Sequence, residues 1–576
     1  MKLVSMTIEN FRSIKKCIVF FNEITGIVGE NNAGKTAILR ALNSVFNFEF
    51  ESSFFLDNTH QYYSRTVTKI SLTFDDIPEK TIYDGKKDDS KLSLVFLYAY
   101  GNTTRKKSLY CQIQNNKIQI DDNFLFELKK DIDFVYIPAN RGSKDLTWTK
   151  NSIFQRLITT YLSDYTKNRD TLSQQVIRAA SGIKSHVLYK LERELSELNM
   201  SDINGKYQID YAAQIDYTIF LNKLGINIED DGITLPVIEY GSGIKSLTVI
   251  ALHRMYAKQN NVNIILGIEE PETNLHPQAQ KKLIASLKSN RQDCETQAIF
   301  ATHSPVIIDE LDHQDIILVR REKDDKRGFH SITTQLSPNF WEDHNITELK
   351  HYNFFKYKNS EFFFSKYVIL SESITDAQVL EKLMSPLLGE KIYNISILNL
   401  DGVKNLKYPF FLLKDLGIPF SAVVDKDFFT QYKNGSLAKS RSDDTCLPIY
   451  SNTLNIKNPV IKDIFKSESS QNQLKTYLSQ SYTKFFNFLK PYGLLSMQYC
   501  LEMDLVASSS AANLYYDFYD LENENRTPSK LLIDRKDAIK DPAVLLDIVE
   551  QLRPSDYPIS FKKIRTELLD TISSYL

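Results

Sequence analysis

The segment that most restricts what this chain can fold into begins at Ile24. A short apolar run, Ile24–Val28, passes directly into Gly29-Glu30-Asn31-Asn32-Ala33-Gly34-Lys35-Thr36. Ala37-Ile38-Leu39-Arg40-Ala41-Leu42 follows with the composition of a helix. Strand, glycine-bounded loop and helix in this order form a phosphate loop: the glycines let backbone N–H groups wrap an anion, and the helix N-terminus adds partial positive charge. In that reading Gly29, Asn31, Asn32, Gly34, Lys35 and Thr36 hold a nucleotide, with Lys35 at the β- and γ-phosphates and the Thr36 hydroxyl on Mg²⁺.

Such a loop needs an acid at the end of another strand. Val262–Ile268 is a buried-strand run that ends in Glu269-Glu270-Pro271-Glu272. Glu269 would complete the Mg²⁺ shell, and Glu270 is placed to polarise the attacking water. A further strand, Gln297–Ala301, delivers Thr302-His303-Ser304-Pro305, with His303 suited to contact the γ-phosphate. Between them, Tyr240-Gly241-Ser242-Gly243 opens an apolar helical stretch, a second anion-binding helix start or a plain helix cap. Val135-Tyr136-Ile137 leads to a polar turn from which Arg141 could face the nucleotide.

Taken together, the phosphate loop, the Ser242-Gly243 turn and the late acidic strand resemble the ABC-type ATPases. There the Gly-Ser-Gly signature of one chain covers the nucleotide held by another, which implies a homo-oligomer, at least a dimer, with ATP as the cofactor. The long interval between Lys35 and Glu270 implies a head with a large insertion. Leu172, Val176, Ala180, Ile183, Val187, Leu191, Leu195 and Leu198 recur at spacings of three and four, the stripe of an amphipathic helix that packs on a partner or on its own domain.

Composition bounds the partners. Lys+Arg number 70 against 72 Asp+Glu, spread evenly, so no overall basic field announces nucleic acid and any such site is local or metal-bridged. Five scattered cysteines (Cys17, Cys111, Cys294, Cys446, Cys500) fit neither a disulfide framework nor a zinc ribbon and suit a reducing cytoplasm. The N-terminus lacks an apolar signal core and no apolar run is long enough for a membrane span. The length of 576 residues suggests three or four domain-sized units.

TIENFRSI at the N-terminus, GENNAGKT, the GSG turn, IEEPETNLHP and ATHSP together resemble the RecF/SMC-like ATPases. Among these they most resemble the OLD (overcoming lysogenization defect) family, which includes the Gabija nucleases. That family is defined by a second domain, and the remainder of the chain carries a matching pattern.

None of the nine histidines follows His351, so chemistry beyond it must run on carboxylates, lysines and hydroxyls. Tyr367–Leu370 is a short apolar strand followed by Ser371-Glu372-Ser373-Ile374-Thr375-Asp376. Asn394–Leu400 is a second strand, and Ser421–Val424 a third that ends in Asp425-Lys426-Asp427. Strands alternating with helices imply a parallel sheet whose carboxyl edge carries Glu372 and the Asp425/Asp427 pair. Clustered carboxylates suit hard Mg²⁺ or Mn²⁺, and two such ions can stabilise the attacking and leaving oxygens of a phosphodiester.

The arrangement of Glu372 and Asp376 after one strand and Asp425 and Asp427 after a later one resembles the TOPRIM domain, with Ser373 where a glycine is usual. The resemblance to OLD nucleases implies that Glu502 and Asp504 complete the metal site. It also implies a late lysine that stabilises the transition state, Lys540 in preference to Lys536.

The expected fold is therefore α/β: an ABC/RecF-like P-loop ATPase domain over residues 1–150 and 225–345, a helical insertion over 151–224 that serves dimerisation, a linker over 346–365, and a TOPRIM domain with a C-terminal helical part over 366–576. The resemblance implies an ATP-regulated, metal-dependent DNA endonuclease of phage defence, with a helicase or a retron reverse transcriptase and its DNA as conceivable partners. The alternative is a RecF/SMC-like repair ATPase that binds DNA ends without cutting them.

Overall fold

The computed structural model describes residues 1–57, 59–63, 66–100, 105–139, 143–147, 149, 152–163, 166–197, 209, 221, 223–230, 232–289, 296–325, 328–346, 360–455 and 458–576. Arg141, residues 347–359 of the expected linker and most of the insertion after residue 197 lie outside these described residues. The chain divides into two compact units rather than three or four: Met1–Leu311 with Val319–Thr333, and Asp312–Leu318 with Thr334–Leu576.

The first unit is built on one twelve-stranded sheet. In chain order its strands are β1 (Lys2–Phe11), β2 (Ile14–Phe20), β3 (Ile24–Val28), β4 (Thr68–Asp75), β5 (Leu92–Tyr100), β6 (Arg105–Ile113), β7 (Asn116–Ile120) and β8 (Ile132–Ile137). After a separate hairpin of β9 (Asn227–Asp230) and β10 (Ile233–Pro236) come β11 (Asn263–Glu269), β12 (Thr296–Thr302), β13 (Ile316–Asp324) and β14 (Gly328–Thr334). The order across the sheet is β7-β6-β5-β4-β1-β2-β14-β13-β3-β12-β11-β8.

One wing, β7 to β2, is antiparallel. β4 shows why: Thr68, Ile70, Leu72 and Phe74 are buried and alternate with more exposed residues, the period of a strand with one face on a core. The other end, β3-β12-β11-β8, is parallel. Its β3, β11 and β12 are buried nearly throughout and read as continuous apolar runs. β12 therefore separates the phosphate-loop strand from the acidic strand, and the three carboxyl ends lie side by side.

The insertion's stripe falls on helices Thr166–Ile183 and Tyr189–Glu197, joined by a π-helical turn over Lys184–Leu188. Within a single copy Leu172, Ile183 and Leu191 remain 45%, 52% and 46% exposed.

The second unit centres on a four-stranded parallel sheet of β15 (Tyr367–Ser371), β16 (Ile395–Asn399), β17 (Phe420–Val424) and, after a hairpin of β18 (Thr430–Tyr432) and β19 (Tyr450–Leu454), β20 (Leu494–Ser496). Its order is β16-β15-β17-β20. The chain leaves β15 toward β16 on one side and returns to β17 on the other, so a crevice opens at the carboxyl ends of β15 and β17. Helix Ile374–Leu388 covers this sheet and packs with helices Pro542–Gln551 and Ile559–Ser573 around Leu383, Leu545, Phe561 and Leu568. Histidines from before the last strands do reach this unit: His313 pairs with Tyr408 and His344 with Asp415. Among the described residues no helix is long and apolar enough to cross a membrane.

Candidate functional site

Two cavities, one in each unit, gather most of the expected site residues. In the first, a cavity of about 650 Å³ is lined by Asn31, Asn32, Gly34, Lys35, Thr36, Glu269, Glu270 and His303. The loop fits tightly into its surroundings. A Cβ at Gly29 (φ +151) would stand 2.1 Å from the Val319 carbonyl oxygen, and one at Gly34 (φ +106) 2.3 Å from Ser331 Oγ and 2.5 Å from Ser13 Oγ. Only glycine serves at either position. Helix Lys35–Phe46 starts at once after Gly34 and buries Ile38, Leu39, Leu42 and Val45.

Lys35 Nζ donates to the carbonyls of Gly29 at 3.0 Å and Glu30 at 2.9 Å. Burial lowers its pKa to about 8, against the pull of Glu270, Glu272 and Glu30. Glu269 is 9% exposed, whereas Glu270 is exposed and held at φ +42, with its N–H bonded to the Ala301 carbonyl across to β12. A glutamate in the left-handed region is strained, and such strain clusters at functional positions. Glu272 instead joins the two strand ends, accepting from Thr302 Oγ1 at 2.8 Å and from His303 N at 2.7 Å. Burial, with Lys35 nearby, keeps the His303 imidazole neutral to lower pH than usual.

Ser242 and Gly243 do not line this cavity. They begin helix Ser242–Asn260, where a Cβ at Gly243 would meet the Asn274 carbonyl at 2.5 Å. Sequence reasoning missed Arg12, Thr59, Tyr62 and Phe329, which also line the cavity. Arg12 stands inside the TIENFRSI motif, a signal that could have found it. The others belong to stretches with no motif.

In the second unit a cavity of about 340 Å³ at the β15/β17 crevice brings together Glu372, Asp376, Asp425, Asp427, Glu502 and Lys540. The Ser373 and Asp376 pair forms a capping box at the start of helix Ile374–Leu388: Ser373 Oγ receives the Asp376 N–H, and Asp376 Oδ2 accepts from Ser373 N at 3.0 Å. Serine in the usual glycine's place thus anchors the helix, its hydroxyl also donating to Asp376 Oδ2 at 2.6 Å. Glu372 is held by its carbonyl, which accepts from Gly402 N at 2.8 Å. Its Oε2 is buried without a hydrogen-bond partner.

Burial and the crowding of like charges raise Glu372, Asp376, Asp425 and Asp427. The Glu372 pKa rises to about 7 through burial and then Asp427 and Asp376. Asp425 is raised well above the ordinary carboxylate range, by burial and then Glu372. Asp427 rises through burial although the Tyr432 hydroxyl donates to it at 3.1 Å. Burial opposes the charge on Lys540, but Glu502 at 3.0 Å holds it above the ordinary lysine value. Five carboxylates against one lysine, with a buried oxygen left unpaired, fit a hard divalent cation. Among the described residues no group of three or more His, Cys, Asp or Glu side chains is placed to hold a metal ion by itself.

Asp504 is not brought to this cavity. It is 2% exposed, and its two oxygens accept from Gln498 N at 2.9 Å and Tyr499 N at 2.8 Å. Lys536 is also absent from the lining, whereas Tyr432 and Cys500, which no motif marked, are part of it.

Comparison with known proteins agrees with this two-part construction. The family described as an AAA ATPase domain matches residues 1–137 and 104–308, and the TOPRIM domain of overcoming-lysogenization-defect-like proteins matches residues 363–427. The chain is 24% identical over 446 residues to the OLD nuclease of Thermus scotoductus (strain ATCC 700910 / SA-01), covering 74% of this chain and 82% of that one. It is 24% identical over 493 residues to the endonuclease GajA of Bacillus cereus (strain HuB5-5), covering 70% of each. It is 25% identical over 475 residues to the Old nuclease of Escherichia phage P2, covering 74% and 78%. With its first half matched throughout by the ATPase family and the TOPRIM match beginning beyond it, the chain belongs to the AAA ATPase domain family and joins that domain to a TOPRIM domain of the OLD type.

Proposed function

We propose that the protein is an ATP-dependent, divalent-metal-dependent DNA endonuclease that acts in the cytoplasm as an effector of phage defence. The observation that carries this reading is the second cavity, where five carboxylates and a lysine from four separate segments meet at the crevice of a parallel sheet. The nuclease names of the three relatives support the substrate class.

Glu372, Asp376, Asp425, Asp427 and Glu502 would hold the cations, Mg²⁺ or Mn²⁺, at the crevice where the phosphodiester binds. Bound ions of this kind supply charge neutralisation and a water of lowered pKa. Lys540, kept charged by Glu502, faces the negative charge that builds on the phosphate in the transition state. Asp504 acts on the loop beneath the cavity.

In the head, Asn31, Asn32 and the loop N–H groups cradle ATP, Lys35 neutralises its β- and γ-phosphates, and Thr36 and Glu269 complete the Mg²⁺ site. Glu270 polarises the attacking water and His303 contacts the γ-phosphate. Ser242 and Gly243 serve the nucleotide of a second copy, in a dimer built through the exposed stripe of the insertion. A defence partner, a helicase or a retron reverse transcriptase with its DNA, fits the same reading.

The test is plasmid cleavage with and without ATP, in Mg²⁺, Mn²⁺ and EDTA. Asp425→Ala or Asp427→Ala should abolish cutting, a loss of at least about a hundredfold in rate, while ATP binding is retained. Cutting by both variants in Mg²⁺ would remove the carboxylate cavity from the mechanism. DNA-stimulated ATP hydrolysis without cleavage in any metal would instead return the repair-ATPase reading.

A further inference from the structure

The ATP-binding reading accounts for the loop, the acids and His303, but not for the aromatic side of the same cavity. Phe329 lines it from β14, while Arg321 on the adjacent strand β13 does not. The Arg321 guanidinium lies 3.9 Å from the centroid of the Phe329 ring, so one ring face is occupied by a cation. A ring at a cavity wall with a guanidinium on one face is built to receive a flat π-system on the other.

The sheet order says which end of a nucleotide lies there. β12 and β11, with His303, Glu269 and Glu270, stand on one side of the phosphate-loop strand β3, and β13, β14 and β2 stand on the other. Ser13 and Ser331 mark that second side. Their hydroxyls are 2.7 Å apart, Ser331 Oγ donates to the Ala33 carbonyl at 2.5 Å, and both flank Gly34. A triphosphate with its γ end at Lys35, Glu270 and His303 therefore runs along the loop away from the acids and leaves its base on the Phe329 side. The cavity, at about 650 Å³, is of the size that holds a whole small ligand rather than phosphates alone.

We infer that Phe329, backed by Arg321, is the stacking platform for the purine base of the nucleotide. The inference rests on the ATP reading of this cavity and adds to it the residue that distinguishes a nucleotide from inorganic polyphosphate. A stacking face accepts any purine, so adenine and guanine are bound alike by this element and a bare triphosphate gains nothing from it.

The test measures equilibrium binding of ATP and of inorganic triphosphate to the full chain by calorimetry, for the wild type, Phe329→Leu, Phe329→Trp and Lys35→Ala. Phe329→Leu keeps apolar volume without a π-face. It should weaken ATP about tenfold, the usual worth of one base stacked on one ring, and leave triphosphate affinity unchanged. Phe329→Trp should restore ATP binding. An equal loss of ATP and triphosphate in Phe329→Leu, or no loss of either, overturns the platform. A wild type that binds neither ligand, and matches Lys35→Ala, overturns the nucleotide reading itself and the platform with it.

Discussion

Lys35 concentrates the physics of the first cavity in one side chain. It is 7% exposed, and its ammonium is held by two loop carbonyls. Burial favours the neutral form and brings the pKa down to about 8. A triphosphate binds the charged form, so protonation and ATP binding support each other. Below pH 8 the lysine is already charged and affinity should be flat. Above it, affinity should fall by up to about tenfold per pH unit as the proton must be taken up on binding. Isothermal titration of ATP between pH 6.5 and 9.5 checks this, and an affinity unchanged to pH 9.5 would mean that Lys35 stays charged without nucleotide. Phe329 is the complementary case at the other end of the cavity, where contact area rather than charge decides.

At the scale of the element, the start of helix Leu501–Ala507 separates two acids that the sequence presents as a pair. Glu502 points into the carboxylate cavity and meets Lys540, while Asp504, two residues on, turns beneath the loop and receives Gln498 N and Tyr499 N. A helix turns each successive side chain by about a hundred degrees, so residues two apart face nearly opposite ways. Asp504→Ala leaves two N–H groups without acceptors and should cost about 1–3 kcal/mol of stability, seen as a lower urea midpoint. The Mn²⁺ concentration for half-maximal cleavage should stay at the wild-type value. A higher Mn²⁺ requirement would put Asp504 among the cation ligands. Glu502→Gln, by contrast, should raise that requirement with little change in the urea midpoint.

For the whole molecule, the proposed dimer turns on the insertion. Among the described residues Leu172, Ile183 and Leu191 expose apolar area along the two helices, and large exposed apolar faces mark interaction surfaces. Ser242 and Gly243 stand outside the chain's own first cavity, and the proposed dimer gives them the nucleotide of a second copy to serve. Leu172→Asp combined with Leu191→Asp should convert the assembly to monomers by sedimentation and slow ATP hydrolysis, with ATP affinity retained. A double variant that keeps the wild-type mass would clear the stripe of that role.

What the sequence by itself determined is whatever rests on short-range order. The strand–loop–helix at Gly29–Thr36, the acids at the end of β11, the histidine at the end of β12 and the carboxylates after β15 and β17 are each set by a few consecutive residues, because phosphate loops and sheet edges are local devices. Even Ser373, an apparent departure, is explained locally by its capping box with Asp376. The antiparallel wing was legible in part, since the alternation of β4 is plain, but its place in a twelve-stranded sheet was not. Only the tertiary structure decided which distant residues join each cavity. It set β12 between β3 and β11, brought Phe329 and Arg12 to the first cavity and Tyr432 and Cys500 to the carboxylates, and turned Asp504 away. The physical reason is that strand order and side-chain direction depend on how whole elements bury their apolar faces against one another, and no spacing within a motif encodes that sum.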